Sequence, residues 1–209
     1  MNVAVNVLLA RGYSPGKQFS LTTMVLDHRN PVTQGHSSRI ATIADTIGRR
    51  LGMSSDGLEN LRAASFLHDV GHIKLKVGGE QFEAPGHAEE GAAIVAGARF
   101  APGIAEAVKH HHARWDGTGY SEWLADETLP RMARVLAVAE RFEALTAGRG
   151  CPRSSPQAAS ETVAAGAGTE FDPAVVEALK RAVGDGGLDL HVPDLALPAM
   201  EPPALPSVF

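Results

Sequence analysis

Helical periodicity is the strongest constraint on this chain. Over residues 36–51, Ile40, Ile43, Ala44, Ile47 and Leu51 recur at steps of three and four, which aligns them on one face of an α-helix. Gly52 then stands where a left-handed C-cap belongs, and Thr33 is placed to cap the start. Ser54 or Ser55 restarts the pattern, with Asp56 and Glu59 in the first turn. Leu58, Leu61, Ala64 and Leu67 carry it to Asp69, and Gly71 ends it. Further helices are expected at about 87–98, from Pro102 onward, from Pro130 through Leu145, at 155–165 and at 172–183. Between them, 73–86 reads as a loop and Asp116 to Gly119 as a turn. No stretch alternates as a strand would. The expectation is an all-α domain over 21–183, with a lead-in at 1–20 and a proline- and glycine-rich, disordered tail at 184–209.

Composition agrees with one helical core. The 209 residues are 44% hydrophobic but only 5% aromatic, so alanine and leucine fill the apolar share, which suits helices rather than a β-sandwich. A net charge of -5 offers no broad positive field to DNA or RNA. Cys151 is the only cysteine, so no intrachain disulfide forms and nothing points to an oxidising compartment. No apolar run approaches the roughly 18 residues of a spanning helix, and a signal peptide is lacking, so no membrane role and a cytoplasmic location are expected.

Histidine is the unusual residue, with nine in the chain and six between His68 and His112. His68-Asp69 closes a helix that is otherwise apolar at Ala63, Ala64, Phe66 and Leu67, so two polar side chains enter the interior and need partners there. Adjacent helical positions point about 100° apart, which lets the carboxylate bridge two metals while the imidazole binds one. His110-His111-His112 ends another apolar helix, and His36 and His87 each begin one. Helix ends offering imidazole to one interior predict a shared metal site. Glu140 follows Met132 and Leu136 on the long helix and is a further inward ligand; alternatively it is a surface glutamate beside Arg141 and Glu143. His28, His110 and His191 are left as surface or supporting residues.

The segments His68-Asp69-Val-Gly71-His72, His87-x-x-x-Gly91, His111-His112-Ala-Arg114-Trp115-Asp116-Gly117-Thr-Gly119-Tyr120 and Ala139-Glu140-Arg-Phe-Glu143-Ala-Leu resemble the HD-GYP branch of the HD-domain phosphohydrolases. The similarity runs from about 36 to 173. It implies an all-α helical bundle whose core holds a two- or three-metal centre, often iron or manganese, that hydrolyses cyclic di-GMP to pGpG or GMP. By this resemblance one metal takes His36, His68, Asp69 and Glu140, and the other Asp69, His87, His111 and His112, with Asp69 bridging. His68 and Asp69 are the catalytic pair. Such nitrogen-rich sites suit transition metals rather than calcium or magnesium. Two cations roughly 3.5–4 Å apart activate a bridging hydroxide and neutralise phosphoryl charge.

The resemblance places His72, Lys74, Asp116, Gly117, Gly119, Tyr120, Arg149 and Arg153 around the substrate, where arginine's planar fork fits phosphate. The chain also departs from the pattern. His72 stands where the family has lysine, with Lys74 or Lys76 as replacements, and Glu140 stands where it has aspartate. Val32 replaces the glutamate of three-metal members, so two metals are expected. Ser121 replaces the proline of Gly-Tyr-Pro, and the 73–85 loop is shorter than the family's. These departures leave two alternatives beside cyclic di-GMP hydrolysis: a phosphohydrolase for another nucleotide or phosphoester, or a catalytically weak cyclic di-GMP-binding signalling module. A signalling partner protein and a homodimer fit either reading.

Overall fold

Two histidines open helices, and each follows a glycine in the left-handed region: Gly35 at φ 71° before His36, and Gly86 at φ 91° before His87. An L side chain resists that conformation, so these glycines let the chain turn sharply and aim the first helical residue inward. The computed structural model describes residues 35–74, 86–98, 100–119 and 124–188. The lead-in, His28, Val32, the Thr33 cap, Lys76 with the rest of the 75–85 loop, Tyr120, Ser121, and the tail from 189 on, including His191, lie outside the described residues.

Among the described residues are seven α-helices and no strand. They are α1 (His36–Arg50), α2 (Ser55–Leu67), α3 (His87–Gly97), α4 (Pro102–His110), α5 (Arg131–Ala147), α6 (Pro156–Ala164) and α7 (Pro173–Gly184), with short 3₁₀ turns at Val70–Ile73 and Asp126–Thr128. Ser54 caps α2 by accepting from the Gly57 amide, Ser155 caps α6 and Asp172 caps α7, each satisfying an amide that the first helical turn leaves open. The expected ends hold to within two residues, and at α2 the difference bears on the site. That helix stops at Leu67, His68 is its C-cap, and Gly71 belongs to a 3₁₀ turn rather than terminating an α-helix.

α5 is the central element, packed against α1, α4, α6 and α7. Its Leu136 and Phe142 meet Ile40, Ile43 and Ile47 of α1, Leu61 and Leu67 of α2, and Leu179 of α7 in one core of fully buried side chains. Burying a side chain of this size stabilises by about 1.5–3 kcal/mol. No helix among the described residues is long and apolar enough to cross a membrane.

The 3₁₀ turn docks on α3, and two glycines allow it. A Cβ on Gly71 would run into the His87 carbonyl, and one on Gly91 would stand 3.0 Å from Val108 Cγ1 and 3.3 Å from the Gly71 amide nitrogen. Backbone therefore packs on backbone, which carries His87 to the end of α2 where His68 and Asp69 lie.

Candidate metal centre

Five segments distant in sequence deliver their polar side chains to one place. His36, His68 and Glu140 form one group whose ligand atoms all lie within 4.8 Å of one another; His87, His111 and His112 form a second; Asp69, His72 and His87 form a third. Every residue that the sequence assigns to a metal is in one of these groups. His36, His68, His87 and His111 are buried among apolar neighbours, whereas Asp69, His112 and Glu140 line the partly exposed side.

Hydrogen bonds to the outer ring nitrogens fix which nitrogen faces inward. His68 Nδ1 donates to the Ser65 carbonyl at 2.8 Å, and His111 Nδ1 donates to the Val108 carbonyl at 2.6 Å. His36 Nδ1 lies 2.9 Å from Glu143 Oε2 and donates to it. A carbonyl only accepts, so in the neutral rings the Nε2 lone pairs of His68 and His111 are left facing the interior. His36 Nε2 and His68 Nε2 are buried with no hydrogen-bond partner among the described residues. On the other side, His87 Nε2 approaches His111 Nε2 at 3.3 Å and His112 Nε2 at 3.0 Å. These nitrogens converge in a solvent-poor space, where one cation can take the lone pairs of several imidazoles together. The residues fit divalent transition metals on this ground.

Asp69 sits between the groups and turns one oxygen to each. Its Oδ2 is 3.3 Å from His68 Nε2 and 3.8 Å from His36 Nε2, while its Oδ1 is 3.6 Å from His72 Nε2 and 3.7 Å from His87 Nε2. Glu140 Oε2 stands 3.9 Å from His112 Nδ1, between the two sets. Burial disfavours charge on His68, but Asp69 and then Glu140 outweigh it and push that imidazole up to about 9. Burial works against ionised Asp69 too, yet the surrounding imidazoles hold its carboxyl well below the usual range. Glu140 is raised by burial, which His68 offsets only in part. His111 is held well below the ordinary imidazole value by burial and by His112 and His68, and His72 is lowered chiefly by burial. The strongly held proton on His68 reflects the negative potential of Asp69 and Glu140 on that side of the centre, which suits a cation.

The sequence marks Glu143 only as a neighbour of Glu140, and it is fully buried at the centre of a charge cluster. Besides His36, it accepts from Arg39 Nε at 2.8 Å and from Arg149 Nε at 2.9 Å. Burial alone would raise its carboxyl, but His36, Arg149 and Arg39 together lower it to about 2. Its signal in the sequence is its place on the inward stripe of α5, three residues after Glu140 and next to Phe142.

The residues expected near substrate divide. Arg149 joins the centre through Glu143, and Arg153 Nε donates to the Thr146 carbonyl at 2.9 Å behind it. Lys74 is on the surface, 2.7 Å from Glu90. Asp116 lies in its own turn, bound to Arg114 and to Thr118, whose hydrogen bonds lower its carboxyl far below the usual range. Gly117 and Gly119 both have positive φ, and backbone bonds from Trp115 to Glu170 and from Asp116 to Thr169 tie this turn to the α6–α7 connection. Arg134 stacks over the Trp115 ring, 5.7 Å from its centroid, and pairs with Asp172 at 2.7 Å. The turn is thus a braced loop that follows the His111-His112 pair directly.

Comparison with known proteins agrees with this architecture. The HD domain family matches residues 20–175. The chain is 32% identical over 172 residues to the 3'3'-cGAMP-specific phosphodiesterase 3 of Vibrio cholerae serotype O1, covering 76% of this chain and 37% of that protein. It is 31% identical over 169 residues to the cyclic di-GMP phosphodiesterase response regulator RpfG of Xanthomonas campestris pv. campestris, covering 75% of this chain and 45% of that one. The chain spans less than half the length of these two relatives. The crystal structure of a V. cholerae cyclic GMP-AMP phosphodiesterase shares the fold, with a TM-score of 0.59 at 22% identity, covering 73% of this chain and 44% of that one. The sequence motifs, the helical bundle and the family match converge: the chain belongs to the HD-domain family, in its HD-GYP branch.

Proposed function

We propose that this chain is a metal-dependent phosphodiesterase for a cyclic dinucleotide, with cyclic di-GMP as its first substrate. The observation that carries the reading is the split of Asp69, whose two oxygens each face a pair of imidazoles within one partly buried cluster. His36, His68, Asp69 and Glu140 would hold one divalent ion, and Asp69, His87, His111 and His112 a second. When bound, such ions polarise phosphoryl oxygens and lower the pKa of water, which is the chemistry a phosphodiester needs. Iron or manganese fits the mixed imidazole and carboxylate donors.

The chain's own groups prepare that site. The Ser65 and Val108 carbonyls and the Glu143 carboxylate orient three imidazoles before any ligand arrives. The rings of His36, His68 and His111 are themselves buried, 1–2% exposed, so little water reaches them. Arg149, held by Glu143, and Arg153 stand as the cations for substrate phosphate. The names of the relatives favour a second substrate, the mixed GMP-AMP cyclic dinucleotide, for the same site.

The test is to purify the chain without oxygen or chelators, count its metals, and follow cyclic di-GMP and 3'3'-cGAMP by chromatography beside Asp69→Ala. Two ions per chain and product that disappears in the variant support the reading. Two ions without product from either nucleotide would move it to another phosphoester or to a binding module.

A further inference from the structure

The seven ligands expected from the sequence leave His72 outside the metal shell, and the geometry puts it inside. Asp69 caps the 3₁₀ turn Val70–Ile73, and His72 lies three residues after it. A 3₁₀ turn has three residues per turn, so side chains at i and i+3 eclipse and share a face. The turn therefore aims the His72 ring and the Asp69 carboxylate the same way, and His72 Nε2 reaches 3.6 Å from Asp69 Oδ1. The glycine contact between this turn and α3 then brings His72 over His87, with ring centroids 4.4 Å apart and planes within 11°. Asp69, His72 and His87 thereby keep all three ligand atoms within 4.8 Å of one another.

We infer that His72 is itself a metal ligand, joining Asp69 Oδ1 and His87 on the side of the centre opposite His36 and His68. This rests on the metal-centre reading above and extends it. Without His72, Asp69 Oδ2 faces two imidazoles and Oδ1 faces one. With it, each oxygen faces two. A contact to substrate phosphate, the role given to this position by resemblance, calls for a side chain reaching outward to solvent. His72 instead lies against Asp69 and His87, with its side chain about three-quarters buried, 24% exposed.

The experiment loads the full chain with cobalt(II) under nitrogen and compares wild type with His72→Ala and His72→Lys. Lysine keeps a cation for phosphate but removes the imidazole donor. The readouts are cobalt per chain, affinity by chelator competition, and the visible ligand-field spectrum. Even changes to groups that merely support a ligand weaken metal binding by about 10–100-fold. Both variants should therefore lose at least tenfold in affinity for one ion, keep the other, and show an altered cobalt spectrum that lysine does not restore. Circular dichroism and thermal melts of the metal-free proteins separate this from misfolding. If either folded variant keeps wild-type cobalt affinity and spectrum, His72 is not a ligand and the inference is overturned. Loss of cobalt from wild type itself, or its retention in Asp69→Ala, would instead overturn the metal-centre reading and this inference with it.

Discussion

Glu143 shows how one residue sets the quality of the centre without touching a substrate. Its carboxylate receives His36 Nδ1, Arg39 and Arg149 in a space without solvent. Glu143→Ala leaves two guanidinium groups and an imidazole without their anion, and breaking a buried pair in this way costs about 3–5 kcal/mol. It also frees the His36 ring to turn, so metal affinity on that side should fall about 10–100-fold. Glu143→Gln keeps a carbonyl to accept from His36 and should lose less. Chelator competition on both variants checks the order, and equal affinities in wild type and Glu143→Ala would refute the positioning role. The same residue sets an acid limb for stability. Its folded-state carboxyl is held at about 2, below its ordinary value of 4.5. A depressed carboxyl stabilises the fold at pH above about 4.5, and that contribution is lost as pH falls toward 2. Thermal melts of the metal-free protein should decline over that range, and the decline should be shallower in Glu143→Gln, though Asp45 and Asp69 are also lowered and keep some of it.

At the scale of elements, the critical joint is the 3₁₀ turn against α3. Gly71→Ala places a methyl group into the His87 carbonyl, backbone that has nowhere to move without shifting α3. The variant should lose the ion beside His87 while keeping the one beside His36 and His68, and it should melt earlier. Metal counting with a melt decides this; a variant with both ions and an unchanged melt would show that α3 does not depend on the contact. This joint also marks where the sequence stops being readable. Apolar spacing locates all seven helices, because amphipathic periodicity is a local signal. It extends α2 to Asp69, since three residues cannot distinguish a last α-turn from the first 3₁₀ turn, and that difference is what aligns His72 with Asp69. The residues of the cluster are legible because an imidazole at the end of an apolar helix must find a partner in the interior, and a cation is a partner that several imidazoles can share. Glu143 is not, because its partners His36 and Arg39 lie 107 and 104 residues away, and nothing local says that a glutamate on a helix is met by them.

For the whole molecule, the centre is a polar region built into a single core, and its ions should act as part of the fold. The ends of α1, α2, α3 and α4 and the middle of α5 all turn imidazoles and carboxylates toward it, so ions there would add ties between helices that already meet through apolar contacts and, for α1 and α5, through the Glu143 ion pairs. Without a cation, buried nitrogens at His36 and His68 have no partner among the described residues, and the His87, His111 and His112 nitrogens crowd one another. An ion that binds only the folded chain stabilises it by about 2.7 kcal/mol at a hundredfold excess over its dissociation constant. For a chain of this length each kcal/mol moves the melting temperature by roughly 2–4 °C. Adding iron(II) or manganese(II) to chelator-treated protein should therefore raise the melt by roughly 5–10 °C for each ion bound. Asp69→Ala, lacking the carboxylate that faces both sets, should respond to neither metal. A wild-type melt unmoved by metal at saturating occupancy would mean that the helices hold the ligands in place unaided. The buried His68 nitrogen would then be met by a proton facing Asp69, whose charge helps push that imidazole up to about 9.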